Sequence, residues 1–97
     1  MAGVLDENQI KDAITDRPKW EYRDGALVRQ VHAADFMGGI RLVDEVAVVA
    51  ESLNHHPDID IRYTDLTFRL VTHSAGGVTE KDLEMAGRID QIVAAPG

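Results

Sequence analysis

Apolar residues between positions 35 and 53 recur at three- and four-residue steps, through Phe36, Ile40, Val43, Val46, Ala47, Ala50 and Leu53. That is the period of a helix with one buried face, and it predicts the longest helix of the chain and the backbone of its core. Gly38-Gly39 near its start lowers helix propensity by about 1 kcal/mol per glycine relative to alanine, and close packing against a neighbouring element accounts for the pair. Pro57 forces the chain out of the helix, because the residue before a proline is biased away from helical geometry. Downstream, Leu66, Phe68 and Leu70 alternate with Thr67, Arg69 and Val71, the two-residue period of a strand with one face on a core. Ile59, Ile61 and Tyr63 form a similar run, with Thr64-Asp65 between, so the two make a hairpin.

The same reading extends to both ends. Asp6 can cap a helix, with Gln9 three residues on in capping-box position, and Ile10, Ala13 and Ile14 give it a short apolar stripe that Pro18 ends. Trp20–Arg23 and Ala26–Val31 are short strands around Asp24-Gly25, a pair suited to a tight turn. Ser74-Ala75-Gly76-Gly77 reads as a loop, and Thr79 as the cap of a last helix with Leu83, Ala86, Ile89 and Val93 on its apolar stripe. The tail from Ala94 to Gly97 is expected to fray. The predicted fold is α+β, order α-β-β-α-β-β-α, with three helices on one face of a four-stranded antiparallel sheet.

Ninety-seven residues make one domain over 1–97, with a single modest core. A domain this small buries only about two-thirds of its unfolded surface, so association would stabilise it. The absence of cysteine excludes disulfides, thiolate metal sites and thiol catalysis. Net charge is −7, and the basic residues are scattered rather than gathered, which argues against nucleic-acid binding. No apolar run approaches the ~20 residues of a membrane span, and the acidic start from Met1 to Glu7 lacks the basic opening of a signal peptide. A soluble, cytoplasmic protein is the expectation.

Three of the four histidines fall between residues 51 and 82. His55 and His56 lie where the long helix ends, and His73 ends the last strand-like run. By parity His73 points away from the core face, free to meet a ligand. His32 reads as a surface or capping residue with no evident partner, and Trp20 as an anchor of the first hairpin or a ring for a ligand to stack on. Imidazole has a reference pKa of about 6.5, so converging histidines supply an acid and a base near neutral pH without a metal. That combination suits elimination of water, where one group removes a proton and another protonates the departing hydroxyl. Three histidines with Glu51 or Asp82 could also make a zinc set. Against it, adjacent helical side chains diverge by about 100 degrees, so His55 and His56 cannot readily share one ion. No metal and no cofactor is expected.

Glu51, His55-His56-Pro57, Tyr63, His73 and Asp82 hold seven typed positions in a fixed register. That register resembles the signature of the pterin-4a-carbinolamine dehydratases, some of which also serve as dimerisation cofactors of a transcription factor. Ile59 stands where animal members carry tryptophan, which places the resemblance with the bacterial and plant branch. The resemblance implies the fold derived above, with dimers joined at a sheet edge and tetramers formed through the long helix. It implies a hydro-lyase that dehydrates 4a-hydroxytetrahydropterin, the carbinolamine left by an aromatic amino acid hydroxylase, to quinonoid dihydropterin in tetrahydrobiopterin recycling. His55 and His73 then correspond to the acid-base pair and His56 to a substrate-orienting group. Asn54, Val71, Thr72 and Ser74 line the site, with backbone groups reading the pterin edge. Glu51, Pro57, Asp82 and Trp20 are supporting residues. An interaction or coactivator module without turnover is the alternative on the same fold.

Overall fold

The computed structural model describes residues 3–95. Helix α1 (Glu7–Ile14) is followed by strands β1 (Glu21–Arg23) and β2 (Ala26–His32), helix α2 (Phe36–Leu53), strands β3 (Asp58–Arg62) and β4 (Asp65–Leu70), and helix α3 (Glu80–Ala94). The strands form one antiparallel sheet in the order β1-β2-β4-β3, with the three helices on one face, as the periodicity predicts. Pro96 and Gly97 of the expected frayed tail lie outside the described residues, whereas Ala94 is still helical.

Register decides which side chains enter the core. Leu27, Arg29 and Val31 on β2 stand opposite Leu70, Phe68 and Leu66 on β4, and Phe68 and Leu66 stand opposite Ile59 and Ile61 on β3. Leu66, Phe68 and Leu70 are fully buried, each stabilising the fold by about 1.5–3 kcal/mol. From the helices, Ile10, Val46, Ala50, Met85, Ala86 and Ile89 close over them. Arg29 enters this face because Asp90 of α3 receives it: the carboxylate pairs with the Arg29 guanidinium, accepts the Trp20 indole N–H at 2.7 Å, and faces Arg17 at 3.5 Å. Trp20, buried just ahead of β1, is thereby tied to α3.

Local chemistry explains the boundaries. Asp6 and Gln9 form the expected capping box, and Asp35 caps α2 through the Gly38 N–H. Asp24 and Gly25 both have positive φ, 52° and 79°, the geometry of a two-residue type I′ hairpin turn. Four expectations are corrected. Helix α2 stops at Leu53, before Pro57 can act, because Asn54 adopts a left-handed conformation (φ 50°) and the His55 N–H returns to the Ala50 carbonyl at 3.0 Å. Tyr63 is a turn residue with φ 54°, not part of a strand, and its ring stacks on Phe36 at a centroid distance of 6.5 Å. The buried stripe of α2 is rotated from the predicted one: Phe36 and Ala47 are exposed, while Leu42 and Val49 pack on the core. His32 does have a partner, Asp65, whose Oδ1 lies 2.7 Å from its Nδ1 across the β2–β4 ladder. Gly39 packs as its neighbours require, an added Cβ lying 3.5 Å from the Ala33 Cβ and 3.6 Å from a Leu66 methyl.

Candidate active site

The site is assembled from three chain segments that meet at one end of the sheet. The first is the exit of α2. Because Asn54 turns left-handed there, the next residue swings off the helix axis, and His55 is carried inward while His56 stays exposed. The second is the continuation of β4. After Leu70 the alternation persists, so Thr72 is buried and His73 exposed, and a bridge from Thr72 to Gly77 folds the chain back on itself. The third is the first turn of α3, where Thr79 and Asp82 form a capping box.

Asp82 joins all three. Its side chain is fully buried, with His55 Nε2 at 2.5 Å from Oδ1, the Thr72 hydroxyl donating to Oδ2 at 2.8 Å, and the Thr79 N–H donating to Oδ2 at 2.9 Å. The two threonine hydroxyls lie 2.8 Å apart. A buried carboxylate is tolerated only when such donors replace its water, and here three do. The His55 side chain is 11% exposed and is held through Nε2, while Nδ1 makes no hydrogen bond among the described residues. His73 follows Thr72 directly, one peptide unit of about 3.8 Å on. A single carboxylate thus fixes both the His55 ring and the backbone segment that presents His73.

His56 pairs with Glu51, one turn back along α2, and both side chains are well exposed. His73 is exposed and makes no side-chain hydrogen bond among the described residues. Thr72 departs from its expected role. Its hydroxyl goes to Asp82, its N–H to the Gly77 carbonyl at 3.0 Å, and its own carbonyl accepts from Ala75 and Gly76. Nothing polar on Thr72 is left for a ligand, so it acts by holding Asp82. Val71 and Ser74 take part in none of these loop hydrogen bonds, which leaves their backbone groups open. Asn54 serves first as the helix cap, Pro57 is half-buried in the exit turn, and Trp20 contacts Asp90 rather than a histidine.

Two surface grooves of about 530 Å³ each lie elsewhere, one between the end of β2 and helices α2 and α3, the other on the uncovered sheet face. Neither contains His55, His73 or Asp82. Volume and chemistry therefore disagree about the site, and the oriented His–Asp–Thr array decides, because catalysis needs positioned groups before it needs space. Reading the sequence alone misses Thr79, assigned there only a capping role. The signal was available: Thr79-x-x-Asp82 is a capping-box pattern, which turns the Asp82 side chain back toward the helix start, where Thr72 and His55 wait.

Comparison with known proteins assigns the family and the fold. Residues 3–92 match the family described as pterin 4 alpha carbinolamine dehydratase. A protein of Mycobacterium sp. (strain KMS), provisionally named a pterin-4-alpha-carbinolamine dehydratase, is 52% identical over 90 residues, 93% of this chain and 96% of its own. A similarly named protein of Mycolicibacterium smegmatis is 50% identical over 91 residues, 94% of this chain and 97% of its own. The crystal structure of a transcriptional coactivator/pterin dehydratase from Brucella melitensis superposes with a TM-score of 0.91 at 31% identity, over 95% of this chain and 100% of that one. A pterin dehydratase-like protein described as a RuBisCO assembly factor in the alpha-carboxysome shares the fold, with a TM-score of 0.64 at 18% identity over 79% of this chain and 89% of its own. With residues 3–92 matched by the family, about half of its residues identical to those of relatives of the same length, and its fold shared over nearly the whole chain, the chain belongs to the pterin 4 alpha carbinolamine dehydratase family.

Proposed function

We propose that the protein dehydrates a 4a-hydroxytetrahydropterin to the quinonoid dihydropterin and water, using histidines as acid and base. The observation that carries this reading is Asp82, a fully buried carboxylate that orients His55 and anchors the segment leading to His73. Elimination needs the N5 proton removed and the 4a-hydroxyl protonated as the C4a–O bond breaks, so that a C4a=N5 double bond forms. His55 and His73 are the acid-base pair. His56, steadied by Glu51, binds and orients the pterin, while Asn54, Val71 and Ser74 line its edge. The product feeds tetrahydrobiopterin recycling beside an aromatic amino acid hydroxylase, in the cytoplasm.

The same reading includes assembly. Strand β3 is an open sheet edge, and α2 exposes Met37 and Val48 at 57% and 70%. Uncovered strand edges and apolar helix faces favour association, which supports a homodimer or homotetramer. Light scattering of purified protein reads the mass.

The activity test is direct. Purified protein is added to carbinolamine generated by a hydroxylase, and the ultraviolet change on dehydration is followed. Acceleration over buffer that His55→Ala and His73→Ala each abolish supports the proposal, whereas folded protein that gives none rejects it. An assembly or coactivator role on this fold predicts instead a stoichiometric partner whose capture His73→Ala leaves unchanged.

A further inference from the structure

We infer that the segment Val4-Leu5, ahead of α1, is a positioning element for His73, clamping one stem of the loop that carries it. The inference rests on the dehydratase reading for its effect on turnover, and on packing alone for the clamp. Residues 73–76 form the loop, closed by the bridge from Thr72 to Gly77. Among the described residues, the hydrogen bonds of residues 73–76 stay within the loop and its first stem. The Ala75 and Gly76 N–H groups donate to the Thr72 carbonyl at 3.0 Å, and the Gly76 N–H also reaches the His73 carbonyl at 3.1 Å. The loop therefore takes its place from its two stems. Asp82 holds the first through the Thr72 hydroxyl, and Val4 and Leu5 hold the second, Gly77 and Val78.

Gly77 shows how the second stem is held. Its neighbour Gly76 has φ 81° and uses the conformational freedom of glycine, but Gly77 does not have positive φ. What Gly77 provides is room. A Cβ there would lie 2.8 Å from one Val4 Cγ methyl and 3.6 Å from the other, where carbon atoms ordinarily stay about 3.5–4.0 Å apart. One residue on, the Leu5 N–H donates to the Val78 carbonyl at 2.8 Å, and the Val78 side chain is buried in the core. Side chain and backbone of one segment thus grip adjacent residues of one stem.

The clamp is itself anchored. Asp6 caps α1 in a capping box with Gln9, which fixes the entry of the segment into the helix. Leu5 and Ile10 occupy the two positions of a hydrophobic staple, and both belong to the core cluster. Val4 is different, being 52% exposed, so its place over Gly77 contributes little burial and acts on the loop instead. Relieving a contact of 2.8 Å needs a shift of about 0.7–1.2 Å, and a misplacement of about 1 Å at a reacting group costs about 100-fold in rate.

A complementary pair of substitutions tests the clamp. Gly77→Ala pushes the stem away from Val4 and should lower kcat on the carbinolamine about 10- to 100-fold, with KM within about threefold. Adding Val4→Ala moves the methyl from one side of the contact to the other, leaving the two Cβ atoms 3.8 Å apart. The double variant should recover kcat to within about threefold of the unmodified protein, a rescue that lost stability alone does not produce. A folded Gly77→Ala with unchanged kcat overturns the inference, and so does a folded double variant that stays as slow as Gly77→Ala. Should Gly77→Ala not fold, Val4→Ala alone decides. Its Ala75 and Gly76 amides should exchange with solvent about tenfold faster than in the unmodified protein, and unchanged exchange overturns the clamp. Exchange needs no substrate. Amides that respond to Val4→Ala in a protein without dehydratase activity would therefore sink the proposed reaction and leave the clamp standing.

Discussion

Asp82→Asn separates the two jobs of the buried carboxylate. The amide has the same shape but only one acceptor oxygen. Two donors, the Thr72 hydroxyl and the Thr79 N–H, approach one side of the Asp82 carboxylate at 2.8 and 2.9 Å. The amide keeps its oxygen there and turns its nitrogen toward His55, whose Nε2 must now accept. The imidazole proton moves to Nδ1, the nitrogen that the proposed reaction uses. Exchanging a charged acceptor for neutral contacts costs about 1–2 kcal/mol, within the 5–15 kcal/mol that stabilises a typical domain, so the variant folds. Loss of one acid-base group costs about 10²–10⁴ in rate, equivalent to about 2.7–5.4 kcal/mol at 1.36 kcal/mol per decade. The activation loss therefore exceeds the stability loss. Stopped-flow absorbance on the carbinolamine and a thermal melt measure the two terms. A folded Asp82→Asn with kcat within about threefold of the unmodified protein refutes the reasoning. Asp82→Ala behaves differently: it orphans three donors at about 1–3 kcal/mol each, a sum comparable to the whole stability, and it should not fold.

Other substitutions test separate parts of the account. His73→Ala removes an exposed side chain with no hydrogen bond among the described residues, so thermal stability should change by less than about 0.5 kcal/mol while carbinolamine turnover falls about 100-fold or more. Trp20→Phe loses the 2.7 Å indole bond to Asp90 while the Arg29 pair remains, and a cost of about 1–2 kcal/mol should lower the melting temperature by roughly 4–16 °C. Gly39→Ala places its methyl at ordinary contact distance from Ala33 and Leu66, and denaturant melts should show a gain of about 0.5–1 kcal/mol from helix propensity. Gly39→Leu overfills the same space and should lose about 1–3 kcal/mol.

The periodic segments were legible because burial enforces period. Leu66, Phe68 and Leu70 could only be the inner face of a strand, and Asp24-Gly25 only a tight turn. What escaped was set by geometry that residue type does not encode. Asn54 ended α2 three residues before the proline that was expected to, since a left-handed asparagine closes a helix as effectively as a break in the backbone. The face of α2 was misjudged because Phe36 is apolar yet stacks on Tyr63 at the surface rather than entering the core. At the site, the histidine spacing was visible, but the carboxylate that ties His55 to the Thr72 segment follows from how α3 docks against the end of β4. Thr72 carried a ligand-binding expectation until its hydroxyl, amide and carbonyl were each found committed inside the protein.

Convergence of His55 and His73 on one ring is the claim beneath the rest, and a crystal structure with a bound dihydropterin tests it most directly. The account predicts Nδ1 of His55 within hydrogen-bonding distance of the pterin N5, and His73 beside C4a. A pterin bound with clear density in either of the two surface grooves, touching neither histidine, would contradict it.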